Sequence, residues 1–274
     1  MRLALFTLEA LANAHSLRRF LSDHANEVVL VGLSNPYRPA MGGSLGQVRR
    51  HLTRSGWRML PFLFINYSLP GLLRALRRVL PGRLRPEQMP LAMHCAALGI
   101  PTVLVSDVND PTLRGRLSSL DLDVIVSAHF DQIFRPDTLE AARLGGINVH
   151  LSVLPMHRGP MPTFYALLEQ PPVLGVSIHR TVEQIDAGEL LAQARIDLPP
   201  GTTALGAAVA LNDVARELLQ NLLPRLEHPA PATAPAGQLP YCPYPTERQL
   251  RDAARAGVRL ANWRDVRAAL KLVF

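Results

Sequence analysis

An amide and an imidazole stand two residues apart in Gly146-Ile147-Asn148-Val149-His150, an apolar run that breaks into a loop carrying Pro155, Arg158 and Gly159. Side chains alternate between faces on an extended strand, so Asn148 and His150 project from the same side at its end. Asn148 can donate two hydrogen bonds to one oxygen, and His150 can donate when protonated or accept a proton when neutral. The pair suits a reaction in which negative charge develops on a carbonyl oxygen, where aimed donors contribute a few kcal/mol each. A carboxylate follows at Asp186, preceded by Ile185 and followed by Ala187 and Gly188, small residues that let backbone come close. Beside an imidazole it raises the ring's pKa and fixes its orientation, as a proton shuttle near neutrality requires. Each residue taken singly also has an ordinary structural use: Asn148 as a strand-end hydrogen bonder, His150 as a half-buried histidine, Asp186 as a turn former. No serine elbow, reactive cysteine or HExxH spacing accompanies them, so direct transfer without a covalent enzyme intermediate is expected.

The elements that must hold these residues are legible from hydropathy spacing. Apolar runs predict strands at 3–6, 27–33, 102–105, 124–127 and 147–149, alternating with helical patterns at 11–21, 87–98, 111–120 and 136–144. Such alternation predicts an α/β protein, Rossmann-like, with a doubly wound, mostly parallel sheet and its ligand crevice at the strand ends. Beyond it, 162–169 reads as helix, 173–181 and 189–198 as two antiparallel strands, and 202–223 as a long helix capped by Thr202 or Thr203. The turn after the first strand, Thr7-Leu8-Glu9-Ala10, lacks the glycine-rich dinucleotide fingerprint, which disfavours a nicotinamide or flavin. The expected organisation is a catalytic domain over 1–226 with a helical, arginine-rich insertion at about 47–86, a Pro/Ala-rich linker at 227–240 and a short C-terminal tail at 241–274.

Composition narrows the setting. Cys95 and Cys242 offer neither a disulfide framework nor a CxxC metal pair, and no metal site is expected. The apolar start is interrupted at Glu9 and shows no cleavage site, so a cytoplasmic location is expected. The longest nearly uncharged apolar segment, 59–73, contains Pro61, Pro70 and Gly71 and is poor material for a spanning helix of about 20 residues. The formal net charge is +7, and no Asp or Glu occurs from 28 to 86, where ten arginines fall. Such a patch attracts anions. The leucine spacing from 48 to 80 predicts two or three short helices broken by prolines, with arginines on a solvated face. Aromatics make up 5% of the chain, too few to interleave with cations as a nucleic-acid surface requires.

The ordered set Asn148-Val149-His150, Ser152-x-Leu154-Pro155-x-x-Arg158-Gly159 and Asp186-x-Gly188 resembles the signature of the folate-dependent formyltransferases, over about 124–198 and weakly back to residue 1. The resemblance implies an enzyme that takes the formyl group of 10-formyltetrahydrofolate, as co-substrate, to an amine. It implies that Asn148 and His150 stabilise the formyl oxygen while Asp186 orients His150 and helps proton transfer through water. It further implies a folate pocket between Phe130, Gln132, Ile133 and Phe134 on one side and Glu183, Gln184 and Ile185 on the other, with Leu154 and Pro155 in the strand-end loop. Plain core packing is the alternative for Phe130 and Phe134. Arg158 keeps the motif, and in this fold Arg49, Arg50 and Tyr37 would face the acceptor.

Departures from the pattern bear on the acceptor. Val182 and Gln184 stand where methionyl-tRNA formyltransferases usually carry Asp and Gly, and fewer than 40 residues follow the linker. The expected partner is therefore a small-molecule amine, an amino sugar nucleotide or a hydroxyornithine, with no nucleic acid and no stable membrane insertion; a homodimer is left open. A formyltetrahydrofolate hydrolase, or a non-catalytic folate-binding or interaction module, is the alternative reading.

Overall fold

The computed structural model describes residues 1–35, 43–79, 85, 88–228 and 240–274. Tyr37 and most of the linker lie outside the described residues. Seven strands form one sheet: β1 (Leu3–Thr7), β2 (Val28–Ser34), β3 (Thr102–Val105), β4 (Val124–Ala128), β5 (Gly146–His150), β6 (Leu174–Arg180) and β7 (Leu190–Ile196). Their order is β3-β2-β1-β4-β5-β6-β7. The first five are parallel, and β6 and β7 run antiparallel at one edge.

The strands form because both faces of the sheet are covered. Every residue of β1 is buried, and β2 and β4 are nearly so, which is why they read as continuous Val/Leu/Ile runs without alternation. One face packs against the helices Ala14–Asp23, Leu91–Ala97 and Ala204–Leu222. The other packs against Pro111–Ser118, with Phe6, Phe130 and Phe134 forming an edge-to-face cluster beneath the strand ends. The strand order reverses between the parallel β1 and β4: the chain winds outward from β1 to β2 and β3 on one side and from β4 to β5 on the other, opening a crevice at their carboxyl ends. Thr203 caps the Ala204–Leu222 helix, its Oγ1 accepting from the Gly206 N–H at 2.9 Å.

The segment after Ser55 departs from expectation. Trp57–Arg77 is helical throughout, by length and composition enough to cross a membrane, although it contains Pro61 and Pro70. Pro61 falls in a first turn, where its missing N–H costs nothing. The turn over Phe64–Ser68 widens to π geometry, with the Leu69 N–H bonding to the Phe64 carbonyl, and so makes room for the ring of Pro70. Arg49, Arg50 and Arg54 of the preceding helix are exposed, as expected, but one arginine of this stretch is buried. Arg74 turns inward, 3.0 Å from Glu9, which also holds the buried Arg18 at 2.5 Å and accepts from the Leu91 N–H at 3.1 Å.

The C-terminal residues are tied to the body. Helices Glu247–Arg255 and Trp263–Val273 pack against 57–78 and the start of Ala204–Leu222. The Ala204 and Leu205 N–H groups donate to Arg259 and Leu260 carbonyls at 2.9 and 3.0 Å, and buried Asp265 accepts from Thr203 Oγ1.

Candidate active site

Adjacent strand ends and one loop build the site. Asn148 and His150 project from the end of β5, and register places Ser127 of β4 and His179 of β6 on either side of Asn148. Ser127 Oγ donates to Asn148 Oδ1 at 2.7 Å, which fixes the amide and turns its Nδ2 into the site. There Nδ2 lies 3.1 Å from His179 Nε2 and 3.3 Å from Asp186 Oδ1. His179 Nδ1 donates to the Arg180 carbonyl at 2.7 Å, which leaves its Nε2 to accept from Asn148.

Asp186 is delivered by the loop between β6 and β7. Its backbone sits in the left-handed region at φ 49°, which aspartate tolerates better than most residues. Gly188, two residues on, lies so close to Arg180 that a Cβ would stand 1.8 Å from the Arg180 carbonyl oxygen, so the loop closes tightly only with glycine there. Asp186 Oδ1 faces His150 Nδ1 and His179 Nε2, each at 3.5 Å, and Oδ2 accepts from the Gly159 N–H at 2.8 Å. Burial alone would raise this carboxyl. The two imidazoles and the Gly159 amide outweigh it and hold the pKa at about 2.

His150 is poised differently. Its Nε2 meets the His157 carbonyl at 3.1 Å and its Nδ1 meets Asp186, so a proton finds an acceptor on either side of the ring. Burial nonetheless lowers its pKa below that of free histidine, against the pull of Asp186. A base that is neutral yet flanked by a carboxylate can take a proton from an attacking amine and pass it on.

These groups form the floor of a cleft of about 620 Å³, within the range of small-molecule sites. Its walls come from 127–134, the β5 end, 159–163, Ile185, the helical stretch near Tyr67 and the C-terminal residues Tyr241 and Tyr244. Tyr67 Oη lies 3.2 Å from His129 Nε2, and burial drives His129 down to about 4, so that ring is neutral at physiological pH. The C-terminal wall is pinned: Cys242 N–H donates to the Arg158 carbonyl at 2.8 Å and Arg54 Nε to the Tyr244 carbonyl at 2.7 Å. Gly159, at φ 120°, comes so near that a Cβ would stand 2.3 Å from the Cys242 carbonyl oxygen.

Residues 95–223, which contain Asn148, His150, His179 and Asp186, match the family model described as formyl transferase. That segment is similar to formyl transferases. The chain's fold is shared by a sugar N-formyltransferase from Shewanella, at 16% identity and TM-score 0.52 over 99% of this chain and 88% of that one. A phosphoribosylglycinamide formyltransferase from Streptococcus pneumoniae is similar at 14% identity and TM-score 0.53, over 82% of this chain and 98% of that one. WlaRD, a sugar 3N-formyl transferase solved in the presence of dTDP and 5-N-formyl-THF, is similar at 14% identity and TM-score 0.53, over 89% and 70%.

Within the matched segment the structure brings Asn148, His150 and Asp186 together. Phe130, Gln132, Ile133, Phe134 and Ile185 also line the cleft. Phe134 is chiefly core, at 2% exposure, while Ile133 offers its side chain to the cleft at 50%. The Gln132 side chain is committed elsewhere, accepting from Val108 N–H at 2.8 Å and donating to the Val105 carbonyl at 3.2 Å. Leu154, Pro155, Glu183 and Gln184 stand outside the lining, Leu154 buried and the last two exposed. Arg158 Nε donates to the Ile185 carbonyl at 3.0 Å and so braces the loop that carries Asp186. Arg49 and Arg50 are exposed on the helix Gly43–Ser55, whose Val48 and His51 reach the cleft instead.

Sequence reasoning missed His179, Ser127 and the C-terminal tyrosines. The signal for His179 is an imidazole in the mostly apolar strand Leu174–Arg180. Its neighbour across the sheet depends on the β5–β6 register, which nothing local specifies.

Proposed function

We propose that the protein is an N-formyltransferase that moves the formyl group of 10-formyltetrahydrofolate to the amine of a small molecule. The observation that carries this reading is the convergence of Asn148, His150 and Asp186 at the floor of one cleft, inside the segment that matches the formyl transferase model. The cleft suits the co-substrate: Phe130, Ile133 and Ile185 supply apolar wall for a flat heterocycle. The bound folate would supply an electrophilic formyl carbon on nitrogen.

The chain's own residues do the rest. As the acceptor nitrogen bonds to the formyl carbon, Asn148 Nδ2 exchanges its ground-state partners, His179 and Asp186, for the oxygen on which charge develops. His150, neutral through burial, accepts the proton released by the amine, and the Asp186 carboxylate stabilises the imidazolium that results. His150 would then give the amine's proton to the departing nitrogen of the co-substrate as its bond to the formyl carbon breaks, which returns the ring to its neutral form. Asp186 stays ionised throughout, since its pKa is held at about 2.

Two of the fold relatives are sugar N-formyltransferases, which favours an amino sugar nucleotide as acceptor, with a hydroxyornithine as the second candidate. Arg49 and Arg50 flank the cleft-lining Val48 and His51 in sequence without lining the cleft themselves; reversing the charges of Arg49, Arg50 and Arg54 should raise the acceptor KM and leave folate affinity unchanged. The deciding assay incubates the protein with 10-formyltetrahydrofolate and a panel of amines and follows free tetrahydrofolate and formylated product. Amine-dependent turnover is expected. Turnover that ignores every amine would assign a hydrolase, and binding without turnover a folate-binding module.

A further inference from the structure

The helical stretch 57–79 presents an unusual outward face. Trp57, Pro61, Phe64, Leu72, Leu76 and Val79 point to solvent at spacings of three and four, with exposed Ser68 in the eight-residue step from Phe64 to Leu72, and none of these stripe positions carries a charge. The widened turn at Phe64–Ser68 keeps the two halves of the stripe on one side. Trp57 is 62% exposed, Leu72 58% and Val79 77%, values that a folded surface does not gather on one helix without a partner.

The neighbouring helix extends this face. Trp263–Val273 lies against Leu69–Arg78, with Ala269 and Val273 seated among Ile65, Leu69 and Leu73. Its outward residues are Trp263, Arg264, Arg267, Leu270, Lys271 and Phe274. The guanidiniums of Arg58 and Arg267 lie 4.9 and 5.1 Å over the rings of Trp57 and Trp263. Cations outnumber carboxylates here: no acid occurs from 28 to 86, Asp265, the one acid of the last helix, is buried beneath Thr203, and among the described residues only Glu247, against Gly56, comes near the start of the stripe.

We propose that this face adsorbs to an anionic lipid bilayer, the 57–79 helix lying in the plane of the headgroups. A two-fold contact with a second copy would set these cations against one another, whereas anionic headgroups complement them. Tryptophans beside arginines, over an apolar stripe, are the composition of an interfacial helix. The helix rests on the surface because its inner face carries buried Asn66 and the Arg74–Glu9 ion pair, which a crossing would expose to hydrocarbon.

Both tryptophans of the chain lie on this face, so intrinsic fluorescence reports on it directly. The full-length protein is titrated with phosphatidylglycerol vesicles and, separately, phosphatidylcholine vesicles, with flotation as the second measurement. Phosphatidylglycerol should shift the emission to the blue, protect it from acrylamide and carry the protein upward, and added salt should reverse all three. The triple variant Arg264→Glu, Arg267→Glu, Lys271→Glu should bind about a hundredfold or more weakly, and Leu72→Ser with Leu76→Ser should abolish the blue shift. Circular dichroism and melting confirm that these surface variants fold. No shift with either lipid overturns the proposal, as does equal binding to both. A blue shift that grows with protein concentration without lipid, together with a dimeric mass, also overturns it and gives the face to a second copy.

Discussion

Replacing Asp186 by Asn keeps the size of the side chain and removes its charge, so it isolates what the carboxylate does. In the native site that charge faces His150 and His179 and accepts the Gly159 N–H. Together they lower its pKa from 3.8 to about 2, despite burial that works the other way. At about 1.4 kcal/mol per pH unit, the ionised group contributes about 2 kcal/mol to folding. Because the folded pKa is depressed, this stability is fully present above about pH 4 and is lost as pH falls towards 2. Urea unfolding of the native protein and of Asp186→Asn should therefore differ by about 2 kcal/mol at pH 7, and the gap should close between pH 4 and 2. Transfer should slow by about 10²- to 10⁴-fold, since His150 loses the partner of its imidazolium. A stability gap that is the same at pH 3 as at pH 7, or a rate within tenfold of native, would refute this account of the site.

Other perturbations test separate parts of the structure. His179→Ala removes the acceptor that holds Asn148 Nδ2; kcat should fall about 10- to 100-fold with folate KM little changed, and His179→Gln should restore part of it, as measured by steady-state kinetics. The rate should also fall with pH as His150 becomes protonated, and because its folded pKa is depressed that loss should begin below 6.5, visible in a kcat profile. Gly159→Ala pushes a methyl into the Cys242 carbonyl, so thermal unfolding should show a loss of about 2 kcal/mol or more and the Tyr241 wall should shift. Thr203→Ala removes the cap of the long helix and a partner of buried Asp265, with an expected loss of about 1–2 kcal/mol in denaturant unfolding.

Much of this protein is determined by sequence alone. Apolar runs without alternation mark strands covered on both faces, and five of these became the parallel part of the sheet. The spacing Asn148-x-His150 at a strand end, with Asp186-x-Gly188 downstream, named the three groups that meet in the cleft. Tertiary structure decided what no local pattern encodes. The β5–β6 register set His179 against Asn148, and a slip of one residue would have turned it to the other face. Prolines predicted breaks at 61 and 70, but a first-turn position and a π turn absorbed them into one helix. The pull of Glu9 drew Arg74 inward, so the outward face there became apolar. The residues after the linker, whose composition suggests only a tail, close the cleft with Tyr241 and Tyr244, because the neighbouring Cys242 amide meets the Arg158 carbonyl across 84 residues of chain. Periodicity records which side of an element is buried; it does not record what that side is buried against.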